Sequence, residues 1–296
     1  MNIAPLSLYL TCLFCIISSQ LLVKPTYKLM VLLGVFHISC LTTAGVIGGY
    51  FYLKGVVFCS YPSLVYVTGA LDLASWCAGS ATNLLIAINR CCFIYSDKLN
   101  RVFFTGNAIY VWILIILLYY VFVLMFVRPP LFNSYGMTYL INPDAGYFGK
   151  IRRAHTIVWA DIHNFIDLVI SVLVIIAFIL IYKRKNQRKS SAFDKQMFIQ
   201  VLLIHLFQFL TCACFNTLRF VRPSTVFNAG ATIIYVISQG ITPVIYLTFN
   251  QTIKLTLASK ILKRGSAVKT SVNLISPLIH GLKLLPVQPA LKSVAN

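Results

Sequence analysis

Seven stretches of about 20 mostly apolar residues run through this chain, roughly 4–23, 29–53, 62–94, 108–127, 157–182, 197–221 and 226–249. That is the length an α-helix needs to cross a bilayer, and in lipid only helices and closed barrels satisfy their own backbone groups. The chain is therefore read as all-α, an integral membrane bundle of seven transmembrane helices over residues 1–265, with a tail at 266–296. Its charged residues agree: they make up 10% of the chain, against about 25% in soluble domains. The first stretch is the weakest, because it starts almost at Met1 and a signal peptide is the rival reading. No Lys or Arg precedes it and no small-x-small site stands before Lys24, so a shortened first helix is expected instead.

Basic residues orient the bundle. Lys24, Lys28, Arg90, Lys98, Arg101, the run 183–195 and the tail from Lys254 onward put 18 of the 25 bases on one side. The seven others (Lys54, Arg128, Lys150, Arg152, Arg153, Arg219 and Arg222) fall on the other. The richer side is expected to be cytoplasmic, which leaves the N-terminus outside and the C-terminus inside. The formal charge of +19 is explained this way, since the bases lie between spans and form no separate nucleic-acid-binding domain. Residues 250–264 read as a basic amphipathic helix on the inner leaflet, in contact with anionic lipid. The largest outer loop, 128–155, is rich in Pro, Gly, Asn and aromatics and reads as a structured lid.

The third span carries a polar stripe. Asp72 and Arg90 are 18 residues apart, five helical turns, so they share one face at opposite ends, with Trp76, Gly79 and Asn83 near the same line. Such a stripe must face a bundle interior or an aqueous cavity. This helix is read as the central post, with chemistry at both ends. A carboxylate at membrane depth needs a partner. For Asp72 that is an internal hydrogen bond or a salt bridge to Arg219 or Arg222, or a cationic ligand. In the fifth span Asp161, His163 and Asp167 lie close together, and His163 and Asp167 are spaced i, i+4 to pair. A structural hydrogen bond is expected there, with pH sensing or metal binding as the functional alternatives. The sixth span reads His205, Gln208, Cys212, Asn216, Arg219, and the seventh Asn228, Gln239, Thr242, Tyr246, Asn250. Both are patterns of interhelical hydrogen bonding.

The nine cysteines do not form a disulfide framework, since eight fall in or beside apolar spans. Neither Cys91-Cys92 nor Cys212-x-Cys214 has a further ligand at metal spacing, so no metal and no cofactor is expected. Walker loops, nucleophile elbows and zincin motifs are missing, and an enzyme is not expected. No internal repeat or pair of broken helices points to a transporter.

Two short motifs give the pattern a resemblance. Arg90, in INRCC, resembles the arginine of the DRY motif in rhodopsin-like receptors, with Asn89 in the acid's place. Pro243 and Tyr246, in TPVIYLTFN, resemble Pro-x-x-Tyr of NPxxY, with Thr242 replacing Asn. Over nearly its whole length the chain is similar to the nematode serpentine receptor class T (Srt) family. The similarity is carried by YKLMVLLGVFHI (27–38), FCSYPSLVYVTG (58–69), INRCC (88–92), PLFNSYGM (130–137), DKQMFIQ (194–200) and PVIYLTFNQTIK (243–254).

The resemblance implies a G-protein-coupled chemosensory receptor in the plasma membrane of a sensory neuron, at its cilium. Its partners would be a small external ligand, a heterotrimeric G protein and membrane lipid, with no nucleic acid. Asp72, Trp76, Trp159, Asp161, His163 and Arg219 are the candidate ligand-binding residues; Asn89, Arg90, Pro243 and Tyr246 are the candidates for activation and coupling. Two departures accompany it: the family's outer N-terminal tail is missing, and residues 128–155 offer no cysteine to pair with Cys59. The alternatives are a ligand-gated channel or transporter, and a degenerate receptor that no longer couples.

Overall fold

A computed structural model describes residues 3–140, 158–186, 192–220 and 224–265. The rest of the 128–155 loop, the middle of the basic run 183–195, Arg222 and the tail 266–296 lie outside the described residues.

The third span forms α4 (Pro62–Tyr95), at 34 residues the longest helix among the described residues. Chain order begins with α1 (Ile3–Ile17), then a 3-10 turn at Gln20–Val23 and α2 (Pro25–Cys40), which Pro25 starts at a position where its missing N–H costs nothing. A π-helical turn, Leu41–Ile47, carries α2 into α3 (Gly48–Lys54), and the two form one rod of 30 residues. Gly55 ends it in the left-handed region at φ 62°, the conformation that closes a helix most cheaply when no Cβ is present. After α4 come the short α5 (Asp97–Phe104) and α6 (Ala108–Phe126). Then follow α7 (Val158–Asn186), α8 (Ala192–Phe220), α9 (Thr225–Phe249) and α10 (Gln251–Gly265).

Among the described residues six helices are long and apolar enough to cross a membrane, and α1 is a shorter apolar helix. Its 15 residues rise about 22 Å, less than the hydrocarbon thickness of about 30 Å. It is the shortened first helix expected from the sequence. The bundle is all-α apart from a small hairpin between α6 and α7, β1 (Leu131–Asn133) with β2 (Thr138–Leu140), paired Leu131 to Leu140 and Asn133 to Thr138. Its turn is held by the Gly136 amide donating to Asn133 Oδ1 at 2.8 Å.

Helix α4 is the post of the bundle. Of its most apolar 18 residues 61% are buried, against 17% in α6 and in α7, whose outer faces are therefore left for lipid. It packs on α2, α6, α7 and α8, while α9 closes the ring between α8 and α1. Small residues bring backbones close: a Cβ on Gly240 of α9 would lie 2.9 Å from Pro5 Cβ of α1. At the Arg90 end the core is Leu29, Met30 and Leu33 of α2 with Ile86, Ile109 and Ile245; at the Asp72 end Cys40, Trp76, Cys77, Cys212 and Tyr235 make a second cluster. The later turns of α10, from Leu255 to Gly265, belong to a separate unit.

Candidate ligand-binding site and coupling end

At one end of α4, Asp72 is buried and both of its hydrogen bonds converge on Oδ1: Thr43 Oγ1 donates at 2.7 Å and Tyr235 Oη at 3.0 Å. The π-turn supplies Thr43 and α9 supplies Tyr235, so this carboxylate joins three elements. Its second oxygen has no partner among the described residues. Trp76, one turn on, meets the Tyr235 ring edge-on at 5.4 Å and donates its indole N–H to Asn164 Oδ1 of α7 at 2.9 Å. The hairpin lies over this end: Tyr139 Oη donates to the Thr43 carbonyl at 3.3 Å, and Thr232 of α9 bonds Thr138 at 2.9 Å. Gly69 of α4 makes that packing possible, for a Cβ there would stand 2.2 Å from the Pro130 carbonyl oxygen.

His163 and Asp167, expected to pair, bond elsewhere. Each is better served by a neighbouring helix than by the next turn of its own. Both ring nitrogens of His163 are taken, Nε2 with Ser80 Oγ at 2.8 Å and Nδ1 with Tyr119 Oη at 2.9 Å. Ser80 also donates to the Cys77 carbonyl at 3.0 Å. With a neutral ring, one arrangement satisfies all three contacts: Nε2–H donates to Ser80, and Nδ1 accepts from Tyr119. Asp167 Oδ2 accepts from Gln208 Nε2 at 2.7 Å and Cys212 Sγ at 3.2 Å. Gln208 Oε1 accepts from Asn83 Nδ2 at 2.8 Å, so a directed chain of amides runs from α4 through α8 to the carboxylate on α7. A cavity of about 280 Å³ opens beside these groups, with Tyr119, Trp159, His163 and Asp167 on its wall.

The candidate ligand residues thus fall into two groups. Asp72 and Trp76 meet through Tyr235, while Trp159 and His163 meet through Tyr119, whose ring is 6.5 Å from Trp159. Asp161 sits in the first turn of α7, where a carboxylate favours the helix dipole, and it does not line the cavity. Arg219 lies near the end of α8, and its side chain is outside the described residues. The residues that tie the groups together, Thr43, Tyr119 and Tyr235, were not singled out from the sequence. Tyr235 had a signal, since it falls in step with the stripe Asn228, Gln239, Thr242, Tyr246 on α9.

At the other end of α4, Arg90 is buried. Asn89 accepts from Thr26 Oγ1 at 2.6 Å and donates to Asn100 Oδ1 at 3.0 Å, so it fastens α4 to the start of α2 and to α5. Pro243 sits inside α9, and its carbonyl accepts from Cys12 Sγ at 3.8 Å. The Tyr246 hydroxyl is buried with no hydrogen-bond partner among the described residues. Asn250 ends α9 and caps α10, its Oδ1 accepting from the Ile253 amide at 3.2 Å and from Tyr27 Oη at 3.4 Å.

Residues 2–270 match the family described as "Serpentine type 7TM GPCR chemoreceptor Srt". The chain belongs to the Srt family. It is also 23% identical over 232 residues to Serpentine receptor class T-55 of Caenorhabditis elegans, covering 77% of this chain and 63% of that relative. The match therefore spans less than two thirds of the relative's length. Membership in the Srt family, together with six spanning helices, makes this a multi-pass membrane protein of a chemoreceptor family and not of an enzyme family. The Srt match takes in both ends of α4, α1 and the Pro243 region alike.

Proposed function

We propose that the chain is a G-protein-coupled chemosensory receptor, with its N-terminus outside, in the plasma membrane of a sensory neuron and its cilium. The observation that carries the proposal is the central helix of a chemoreceptor-family bundle holding a buried carboxylate centre at one end and a buried arginine at the other. A small external ligand binds toward the Asp72 end, where Asp72, Trp76, Trp159, Asp161, His163 and Arg219 are the candidates. Asp72 keeps one oxygen open for a donor, and its other oxygen links the π-turn to α9. A ligand acts only through its difference in affinity between two states, and the centre where three elements share one carboxylate is a place where such a difference arises.

Coupling to a heterotrimeric G protein is assigned to Asn89, Arg90, Pro243 and Tyr246, with the basic stretches 183–195 and 254–264 facing anionic lipid. The Tyr246 hydroxyl, buried with no hydrogen-bond partner among the described residues, supports two arrangements of this end, since a buried hydroxyl is costly unless another state supplies its partner. The test uses one tagged chain in a heterologous cell. An epitope at residue 2 stained without permeabilisation, with one at 186–191 hidden, gives the orientation. Recruitment of a G-protein probe, lost in Arg90→Ala at equal surface level, gives the coupling. Recruitment unaffected by Arg90→Ala, or ligand-evoked current that persists without G protein, would sink the reading.

A further inference from the structure

The cavity beside α7 lies on the flank of the bundle. Of its wall residues, Trp159 is 40% exposed, Ile162 47% and Ile166 50%, on a helix whose outer face is left for lipid. The hairpin, bonded to Thr43 and Thr232 and backed by Gly69 against Pro130, covers the Asp72 centre and supplies no wall residue of this cavity. The open side of the cavity is therefore the bilayer side.

Its wall is apolar apart from a few groups, and those groups sort into satisfied and unsatisfied. Ser80, His163 and Tyr119 bond one another. Asp167 is 7% exposed, and its Oδ2 takes both the Gln208 and Cys212 bonds, while Oδ1 has no partner among the described residues. A carboxylate only accepts when ionised, so what is missing in this apolar space is a donor. The volume of about 280 Å³ is at the lower end of ordinary ligand pockets, which suits a small molecule.

We infer that this cleft binds a small, apolar, membrane-partitioned molecule carrying one hydrogen-bond donor, an alcohol or an amine, which enters from the bilayer and donates to Asp167 Oδ1. The inference rests on the receptor reading for what binding does, and on the cleft alone for what binds. The consequence follows from the other oxygen. Gln208 and Cys212 of α8 hang on Asp167 Oδ2, and Gln208 hangs on Asn83 of α4, so a donor at Oδ1 acts directly on the junction of α4, α7 and α8.

The test is thermal unfolding of the full chain in lipid nanodiscs, titrated with 1-octanol, octylamine and octane at matched membrane concentrations. A saturable rise in melting temperature with octanol, octylamine or both, and none with octane, is expected, because a ligand that binds only the folded chain stabilises it by mass action. Ile166→Trp fills the exposed rim, so it should abolish saturation with the fold intact. Asp167→Asn should weaken octylamine about tenfold or more, the range for losing a charged acceptor. If that variant does not fold, the rim variant decides alone. An octane shift equal to that of the donors, no saturable shift with either donor, or saturation unchanged in Ile166→Trp would overturn the inference. Because no G protein is present, binding without coupling refutes only the receptor reading, and coupling without binding refutes only the cleft.

Discussion

Tyr235→Phe removes one hydroxyl from the Asp72 centre and nothing else. The ring stays against Trp76 and Phe215, at 5.4 and 5.8 Å, so the loss is that of a single bond to Oδ1. Interhelical hydrogen bonds in membrane proteins average about 0.6 kcal/mol and reach about 1.7. A buried carboxylate acceptor belongs toward the upper end, so a loss of about 1–1.7 kcal/mol is expected. Thr43→Val should cost less, about 0.5–1 kcal/mol. The Thr43 hydroxyl divides its one proton between Asp72 and the Ser39 and Cys40 carbonyls, at 2.9 and 3.3 Å. Because the two donors share one oxygen, each compensates in part for the other. The double variant should therefore lose more than the two singles together, by about 0.5 kcal/mol or more. Unfolding in mixed detergent micelles, followed by tryptophan fluorescence, measures all four corners of the cycle. Strict additivity, with Tyr235→Phe indistinguishable from the parent, would show that Oδ1 is not the shared acceptor and that the two donors do not hold α4 to α9 and the π-turn.

Three further outcomes are expected. Gly69→Ala places a methyl 2.2 Å from the Pro130 carbonyl oxygen; the hairpin must retreat, at the about 1–3 kcal/mol typical of overpacking, which faster proteolysis of the 128–140 segment would register. Tyr246→Phe removes a buried hydroxyl that has no hydrogen-bond partner among the described residues and should stabilise the chain by about 1 kcal/mol or more, while lowering G-protein recruitment at equal surface level; a stability loss would contradict the geometry. Asn250→Ala removes the cap of α10 and the Tyr27 bond together, for about 1–2 kcal/mol in the same unfolding assay.

What the sequence disclosed was set by how local the signal is. The spans were legible because apolar length is a property of the segment itself, and α4 was legible as the post because its polar residues recur on one face. The reading of α8 and α9 as hydrogen-bonding stripes carried over in part, in the Asn83–Gln208 bond and in the Asn250 bond with Tyr27, whereas His205 Nδ1, Asn216 Nδ2, Asn228 Oδ1 and the Tyr246 hydroxyl find no hydrogen-bond partner among the described residues. Partners were harder. Asp72 had plausible arginines in the chain, but a hydroxyl from the π-turn and a phenol from α9 reach it, and nothing in one sequence gives the rotation of helices about their axes. His163 and Asp167 sit at a spacing that permits pairing, yet Ser80 and Tyr119 on one side and Gln208 on the other are aimed at them by packing. The hairpin within the outer loop escaped because its strands are three residues each, too short for alternation to be seen.

The winding of Leu41–Ile47 has a further implication. A π-turn holds one residue more than the α-helical winding around it, stored as slack in the rod from Pro25 to Lys54. If the turn tightened to 3.6 residues, everything beyond it would revolve by about 100°, and the Thr43 hydroxyl would swing off the Asp72 carboxylate. The rod in this sense carries a catch: the Thr43 bond to Asp72 holds the surplus residue where it is.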